Sequence, residues 1–489
     1  MTSRASSIII VGAGVFGLSS ALHLQQRGYR NIKVFDKQDY HASEYSPFNG
    51  GDSASSDSHK VIRSAYGDSA ILQDLANRAI DKWKQWNKES GQELFLNTGW
   101  ARLTDIGRPQ DVDIETFKTM SEAGLGHTQY FLHSDQDLKR AEADGWGGAR
   151  LDQFQRRSRG LALDGVFDSN AGLANADLAC KYALDLIEKG GAETYFGDKG
   201  ELSSLIRDDK DARRVVGIVT KDGKRHFADL VIVAAGPFSP LIVPELKSFM
   251  TTTAGNFVFI KVPEHLQHRY RADVFPTWAW NYAGSSESGG LTGFPLDSEF
   301  FDAFPYFLLL YGSRFVLCVA GLTQVGNGIL KISYRSLKWT NPSDTDSEAP
   351  FSAPATAEEA EKRGPPLSPI AETKDFVREN LPDLVGAEIT AVKMCWYADT
   401  VDLDFVIDRV PETEGLLVVT GGSFHGFKFL PVLGEYVVDV LEGKENKYTQ
   451  FWRWRTPTKE QKERILHNTL SNERVWAKQK LATPEDLKW

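Results

Sequence analysis

One early segment limits the possible folds of this chain more than any other: SSIIIVGAGVFGLSSALHLQQRGYRNIKVFDKQD. Ile8 to Val11 form an apolar run of buried-strand length, and Gly12, Gly14 and Gly17 follow it at a spacing that opens a helix. The helix reads as amphipathic and stops at Gly28, and a second β-prone run closes at Asp36. Strand, glycine turn, helix and strand make a βαβ unit. Each glycine answers a separate need. Gly12 allows the tight turn, Gly14 lets backbone approach a pyrophosphate, and Gly17 lets helix and strand pack closely. The first helical amides, at Val15 and Phe16, then point partial positive charge at the phosphates. Asp36 stands where a carboxylate can hold a ribose hydroxyl pair. A glycine-rich turn in an ordinary α/β protein would not need all of these in register, so the segment reads as dinucleotide-binding.

A chain of 489 residues, 41% hydrophobic and 25% charged, can bury more than one compact core, and two domains are expected. The formal charge of −10, with Lys and Arg scattered, argues against a nucleic-acid partner. Three cysteines, Cys180, Cys318 and Cys395, are too few and too far apart for a disulfide framework or a zinc site. No metal is expected, and a reducing compartment is the simpler reading. No apolar run reaches the roughly 18 residues of a membrane span, the N-terminus lacks a secretory pattern, and EDLKW is not a peroxisomal signal. The cytosol is the default expectation, and a monomer is assumed.

The choice between FAD and NAD comes later in the chain. HFADLVIVAAGPFSP (226–240) is another buried strand, and VVGIVTKDGKR before it is a β-hairpin with Asp222-Gly223 at its turn. A hairpin placed between the early βαβ unit and a late strand of the same sheet suits the large FAD-binding fold. NADLACKYALDLIEKGGAETYFG (175–197) is a helix ended by Gly190 and Gly191, then a strand. From 246 to 340, β-prone runs (NFVFIKV, FLLLYG, RFVLCVAGL, GILKISY) alternate with turns, as in an antiparallel substrate sheet. Residues 341–369 are polar and rich in Pro, Ala and Ser, and read as a surface excursion. After a helix near 372–381, residues 414–443 return to strand, glycine turn and helix. The fold class is therefore α/β, or α+β overall: a Rossmann-type FAD domain with a mainly antiparallel second domain. The expected boundaries are 1–90, 155–245 and 385–450 for the first, and 91–154 and 246–384 for the second. Residues 451–489, opening on FWRWR, are left as a C-terminal brace.

Five segments in this order, IIIVGAGVFGLSSALHLQQRGY, SHKVIRSAYGD, GILKISYR, MCWYADTVDLDFVIDR and GGSFHGFKFLPVLGE, resemble the amine-oxidising flavoproteins that include monomeric sarcosine oxidase and the fungal fructosyl amino acid oxidases, or amadoriases. The resemblance spans nearly the whole chain. It implies that Cys395, otherwise a buried structural cysteine by type, is joined as a thioether to the 8α-methyl of FAD. Strand alternation puts Lys331 on one face with Ile329 and Ser333. The resemblance places that lysine beside flavin N5, as a fixed cation that stabilises superoxide when O2 takes its first electron. Around Gly426, Phe427 and Lys428, it implies a helix start whose amides face the pyrimidine end of the flavin. Lys428 and Arg63 would hold the substrate carboxylate, and Lys60 would lie over the flavin face. His425 stays open between a structural and a site role.

The chain also departs from the amadoriases. They carry a small polar residue at the Arg63 position and a glutamate at the Arg335 position, and this chain has arginine at both. The resemblance therefore implies an FAD-dependent oxidase of a secondary α-amino acid rather than of a sugar adduct. A further anionic or phenolic group of the substrate would meet Arg335 or Tyr334. Hydride would pass to flavin N5, and O2 would leave as H2O2. The resulting imine would be hydrolysed, or captured in carbon–carbon bond formation as in fungal secondary metabolism. Fructosyl amino acid, saccharopine and pipecolate oxidation are alternatives. A dehydrogenase is disfavoured by Lys331, and a flavin-bearing sensor without turnover is the rival of another class.

Overall fold

The computed structural model describes residues 3–67, 69–282, 289–294, 328–343 and 350–489. A six-stranded sheet runs in the order Val406–Arg409, Leu416–Thr420, Leu230–Val233, Ile8–Val11, Ile32–Asp36, Glu193–Phe196. All of its pairings are parallel except the first, which is antiparallel. Ile8 to Val11 are buried on both faces, as a central parallel strand covered by helices must be. Helix Val15–Gln26 was read as amphipathic but is buried nearly all round, because helices Ala176–Lys189 and Gly434–Leu441 pack against it. The expected hairpin is present as Val215–Thr220 against Arg225–Phe227, with Gly223 at φ +81° in its turn.

The second sheet has eight strands, in the order Ile389–Thr400, Met250–Lys261, Ile329–Trp339, Gly289–Gly293, Thr277–Tyr282, Trp100–Thr104, Asp164–Asp168, Gln129–Phe131. Only Thr277–Tyr282 against Trp100–Thr104 is parallel. Its three longest strands separate their residues cleanly by face. Leu330, Ile332, Val392 and Trp396 pack into the main core of this sheet, whereas Phe257, Phe259, Ile329, Cys395 and Tyr397 form a small apolar cluster on the other side. Phe259 lies opposite Lys331, and Gly255 lies opposite Cys395. Period-two alternation thus delivers Lys331, Cys395 and Tyr397 to one surface.

Three local expectations change. The helix that starts after Gly426 is a single 3-10 turn, Phe427–Phe429, and an α-helix begins only at Gly434. Pro431 has no N–H to donate, and its ring crowds the carbonyl four residues back, so an α-helix cannot run through this stretch. The described residues of the 341–369 stretch fold onto the protein rather than standing off it as a polar excursion. Pro342–Ser343 pairs with Phe351–Ser352, and Thr356 caps helix Ala357–Arg363. Phe351 and Ala355 are buried, and Gly364 O accepts from the Trp476 indole, so apolar residues pull the segment onto the body of the protein. Tyr334 lies on the core face, where its hydroxyl bonds Glu372 at 3.1 Å. The expected strands FLLLYG and RFVLCVAGL, with Cys318, lie outside the described residues, as does the Arg335 side chain. Among the described residues, no helix is long and apolar enough to cross a membrane.

Candidate active site

The carboxyl ends of the parallel strands bring Val11, Asp36 and Ala234 to a cavity of about 810 Å³. Ligands of doubly wound sheets bind at such ends. Gly12 has φ +109°, and a Cβ on it would stand 2.4 Å from Ala234 O. A Cβ on Gly17 would stand 1.8 Å from Gly12 O, so this glycine lies under the turn and sets its packing. Gly14, Val15 and Phe16 line the cavity, and the Val15 N–H donates to Ser55 Oγ at 3.0 Å. Asp36 accepts from Ala13 N at 2.7 Å and from Gln38 N at 2.9 Å, tying the glycine turn to the second strand. Burial pushes its carboxyl up to about 6 despite those two donors. The far end of the cavity is made by Lys60, Tyr397, Gly426 and Phe427. These residues fit FAD: amides and bare glycines suit a pyrophosphate, a carboxylate suits ribose hydroxyls, and aromatic and cationic groups suit the ring end.

A second cavity, of about 320 Å³, adjoins the first and shares Lys60, Tyr397, Ser423, Phe424 and Phe427 with it. It gathers Arg63, Lys331, His425 and Lys428, which are far apart in sequence. Lys331 is 1% exposed, donates to Asp57 Oδ1 at 2.5 Å and to His59 O at 3.0 Å, and rests against the Phe257 and Phe294 rings. Lys60 donates to the other oxygen, Asp57 Oδ2, at 2.6 Å. One buried carboxylate therefore serves two ammonium groups. Burial acts to raise the Asp57 pKa, but Lys331 and Lys60 together hold it well below the carboxylate range. Burial lowers Lys331 to about 8; Asp57 opposes that shift and Lys60 adds to it. At Lys60 burial also acts downward, but Asp57 prevails and raises it. The proton is thus held less firmly on Lys331 than on Lys60.

Lys428 is also buried, and donates to Tyr66 Oη at 2.8 Å and His425 O at 3.0 Å. Trp83 Nε1 donates to the Lys428 carbonyl at 2.7 Å and pins the 3-10 turn that carries the lysine. His425 Nε2 lies 2.8 Å from Leu403 O, and Nδ1 lies 3.1 Å from Tyr66 Oη. A carbonyl only accepts, so Nε2 carries the proton and Nδ1 receives the tyrosine hydroxyl. Lys428, Tyr66, His425 and Leu403 form one directed hydrogen-bond chain. Arg63 follows strand His59–Ile62 and is no helix cation; it lies over Tyr66 at 4.6 Å and Trp100 at 5.1 Å and donates to Ala65 O. Among the described residues it forms no ion pair.

Cys395 lines neither cavity; it is buried in one apolar cluster with Tyr397, which lines both, and Phe48, Ala54 and Phe424 pack against that cluster. Burial raises its thiol pKa, and Lys60 pulls the other way. Sequence reasoning passed over Asp57, Tyr66 and Tyr397, although the first lies three residues before Lys60 in DSHKVIR and the last two residues after Cys395 on the same strand face. The acid–lysine spacing and the strand period were the available signals.

The L-saccharopine oxidase of Schizosaccharomyces pombe is 26% identical over 471 residues, covering 93% of this chain and 94% of that protein. The N-methyl-L-tryptophan oxidase of Salmonella heidelberg is 25% identical over 439 residues, covering 89% and 95%. The structure of the fructosyl peptide oxidase from E. terrenum superposes with a TM-score of 0.74 at 22% identity, over 100% of this chain and 98% of that one, which is a likeness of fold. Residues 7–440 match the FAD dependent oxidoreductase family, and the chain belongs to it.

Proposed function

We propose that this flavoenzyme oxidises the C–N bond of a secondary, N-substituted α-amino acid to an imine, with O2 reduced to H2O2 and FAD attached through Cys395. Bound FAD supplies the electron chemistry, and the protein positions the substrate and sets the charge around it. The observation that carries the reading is the small cavity itself, where Arg63 and Lys428 lie beside the buried Lys331 on the border of the nucleotide cavity. Arg63 presents a planar fork that matches a carboxylate, and its face is fixed by Tyr66 and Trp100. Lys428 adds a second cation whose direction Tyr66 and His425 O determine. His425 thus serves as a positioning residue. Relatives named for saccharopine and N-methyl-L-tryptophan, both secondary amines, support the substrate class.

Lys331, held at the cavity wall by Asp57, is the cation that offsets negative charge developing on oxygen, and burial strengthens that effect. Lys60 turns toward the same carboxylate and lines both cavities, which suits a place over the flavin face. Cys395, packed in one cluster with Tyr397, would hold the flavin ring edge as a thioether; burial raises its thiol pKa, and Lys60 opposes that shift. The test is peroxide release over N-methyl, N-carboxyalkyl, cyclic and fructosyl amino acids. Turnover of the first three groups is expected; turnover of fructosyl amino acids alone would overturn the reading.

A further inference from the structure

The hydrogen-bond chain that starts at Lys428 does not stop at Leu403. Asp402, Leu403 and Asp404 line the small cavity from the turn between strands Ile389–Thr400 and Val406–Arg409. Leu403 has φ +65°, a left-handed conformation that is unfavourable for a residue with a Cβ and persists only where its surroundings hold it. One side chain of the C-terminal segment gathers this turn. Arg455 Nη1 donates to Phe405 O at 2.8 Å, Nη2 donates to Asp404 O at 3.0 Å, and Nε pairs with Asp402 Oδ2 at 2.8 Å. The backbone around Arg455 is itself docked on the following strand: Ile407 N donates to Trp452 O at 2.9 Å, and Trp454 N donates to Asp408 Oδ2 at 2.8 Å. Arg455 lines neither cavity, so any effect on substrate passes through other residues.

Two contacts carry the fixed turn to His425. Leu403 O, next to the two carbonyls that face Arg455, accepts from His425 Nε2 at 2.8 Å. The buried Phe405 ring lies against the imidazole, with centroids 4.8 Å apart and planes 26° apart. The carbonyl selects the tautomer. With the proton on Nε2, Nδ1 can only accept, so the Tyr66 hydroxyl turns its hydrogen to His425 and offers lone pairs to Lys428 Nζ at 2.8 Å. An imidazole released from Leu403 O can instead carry its proton on Nδ1. It then donates to the Tyr66 oxygen and competes with Lys428 for the same lone pairs.

Resting on the carboxylate clamp proposed above, we propose that Arg455 is a positioning residue for substrate binding: it holds the turn so that Leu403 O fixes the tautomer of His425 and, through Tyr66, the direction of Lys428. The C-terminal segment is then part of how the substrate cavity is built, and not only a brace.

The test uses the full FAD-loaded protein and two probes, N-methyl-L-leucine and its decarboxylated analogue N-methylisopentylamine, with affinities read anaerobically from the flavin absorbance. Arg455→Met should weaken the amino acid by about tenfold and the amine by less than about twofold, because only the carboxylate meets Lys428. His425→Phe keeps a ring against Phe405 and removes both hydrogen bonds. Adding Arg455→Met to it should cost less than about twofold more, since the two changes break one chain. Equal losses on both probes, no loss on either, or a further loss in the double variant as large as the first would overturn the proposal. A second readout needs no substrate: the ring N–H spectrum of protein labelled at histidine nitrogen, in which the His425 signals are those missing from His425→Phe. They should report a proton fixed on Nε2 in the wild type and an averaged pattern in Arg455→Met, and an unchanged tautomer would overturn the proposal. Should Arg455→Met fail to fold, Arg455→Lys, which keeps the charge but loses the fork, is read in the same way. If the wild type binds both probes alike, the clamp reading fails, and the tautomer alone decides the role of Arg455.

Discussion

The two cavities meet at Lys60 and Tyr397 but are built in opposite ways. The nucleotide end works by omission: Gly12, Gly14 and Gly17 have no side chains, and backbone amides provide the polarity. The catalytic end works by concentration. Lys60, Arg63, Lys331 and Lys428 crowd one small space, with Asp57 shared between two of them. The first design tolerates no added atom, whereas the second tolerates substitution but loses one chemical step at a time. The two ends should therefore fail differently.

The largest effect is expected at the glycine turn. Gly17→Val would drive a Cβ into Gly12 O, 1.8 Å away, and no rotamer relieves a backbone clash. Little folded, flavin-bearing protein should be recovered, and a yellow, soluble variant would refute the packing described for this turn. Cys395→Ser sharpens the border between the ends. Acid precipitation should leave flavin with the wild-type pellet and release it from the variant; free flavin from the wild type would remove the covalent bond. At the catalytic end, Lys331→Met keeps most of the side-chain volume and removes the charge. Reduction by substrate without air should persist, and reoxidation by air should slow by orders of magnitude. A variant that reoxidises at the normal rate would end the oxygen role of Lys331.

The pH dependence of that step is a finer test. Burial lowers the Lys331 pKa to about 8, and in the proposed oxygen role only its protonated form carries the required charge. The reoxidation rate should be highest below that pH and fall as pH rises through it, by up to about tenfold per unit. A rate that rises across the same range contradicts the assignment, because Asp57 stays ionised throughout.

The same contrast explains what the sequence could show. The glycine turn, Asp36 and the first parallel strands are contiguous, so spacing alone revealed them. Strand period could place Lys331 with Ile329 and Ser333 on its own strand, but only the cross-strand register, Phe259 opposite Lys331 and Gly255 opposite Cys395, brings Lys331 and Cys395 to one face. Asp57 carried no local signal of burial, and its two lysines come from a neighbouring residue and from a strand 274 residues away. Tyr334 is expected from the sequence to meet a further substrate group, yet with Leu330 and Ile332 it packs into the main core of the sheet, on the face opposite Ile329. The helix expected at Gly426 is held to one 3-10 turn, Phe427–Phe429, by Pro431, a residue legible in the sequence.

The most direct test of the central claim compares wild type and Arg63→Met on one N-methyl amino acid and its decarboxylated analogue, by anaerobic flavin reduction. Losing the guanidinium fork removes a charge-assisted interaction of about 1.5 to 3 kcal/mol, so the amino acid should bind at least roughly tenfold more weakly. The analogue should hardly change. Equal losses on both, or none on the amino acid, would take Arg63 out of the carboxylate clamp and contradict an amino acid as the substrate.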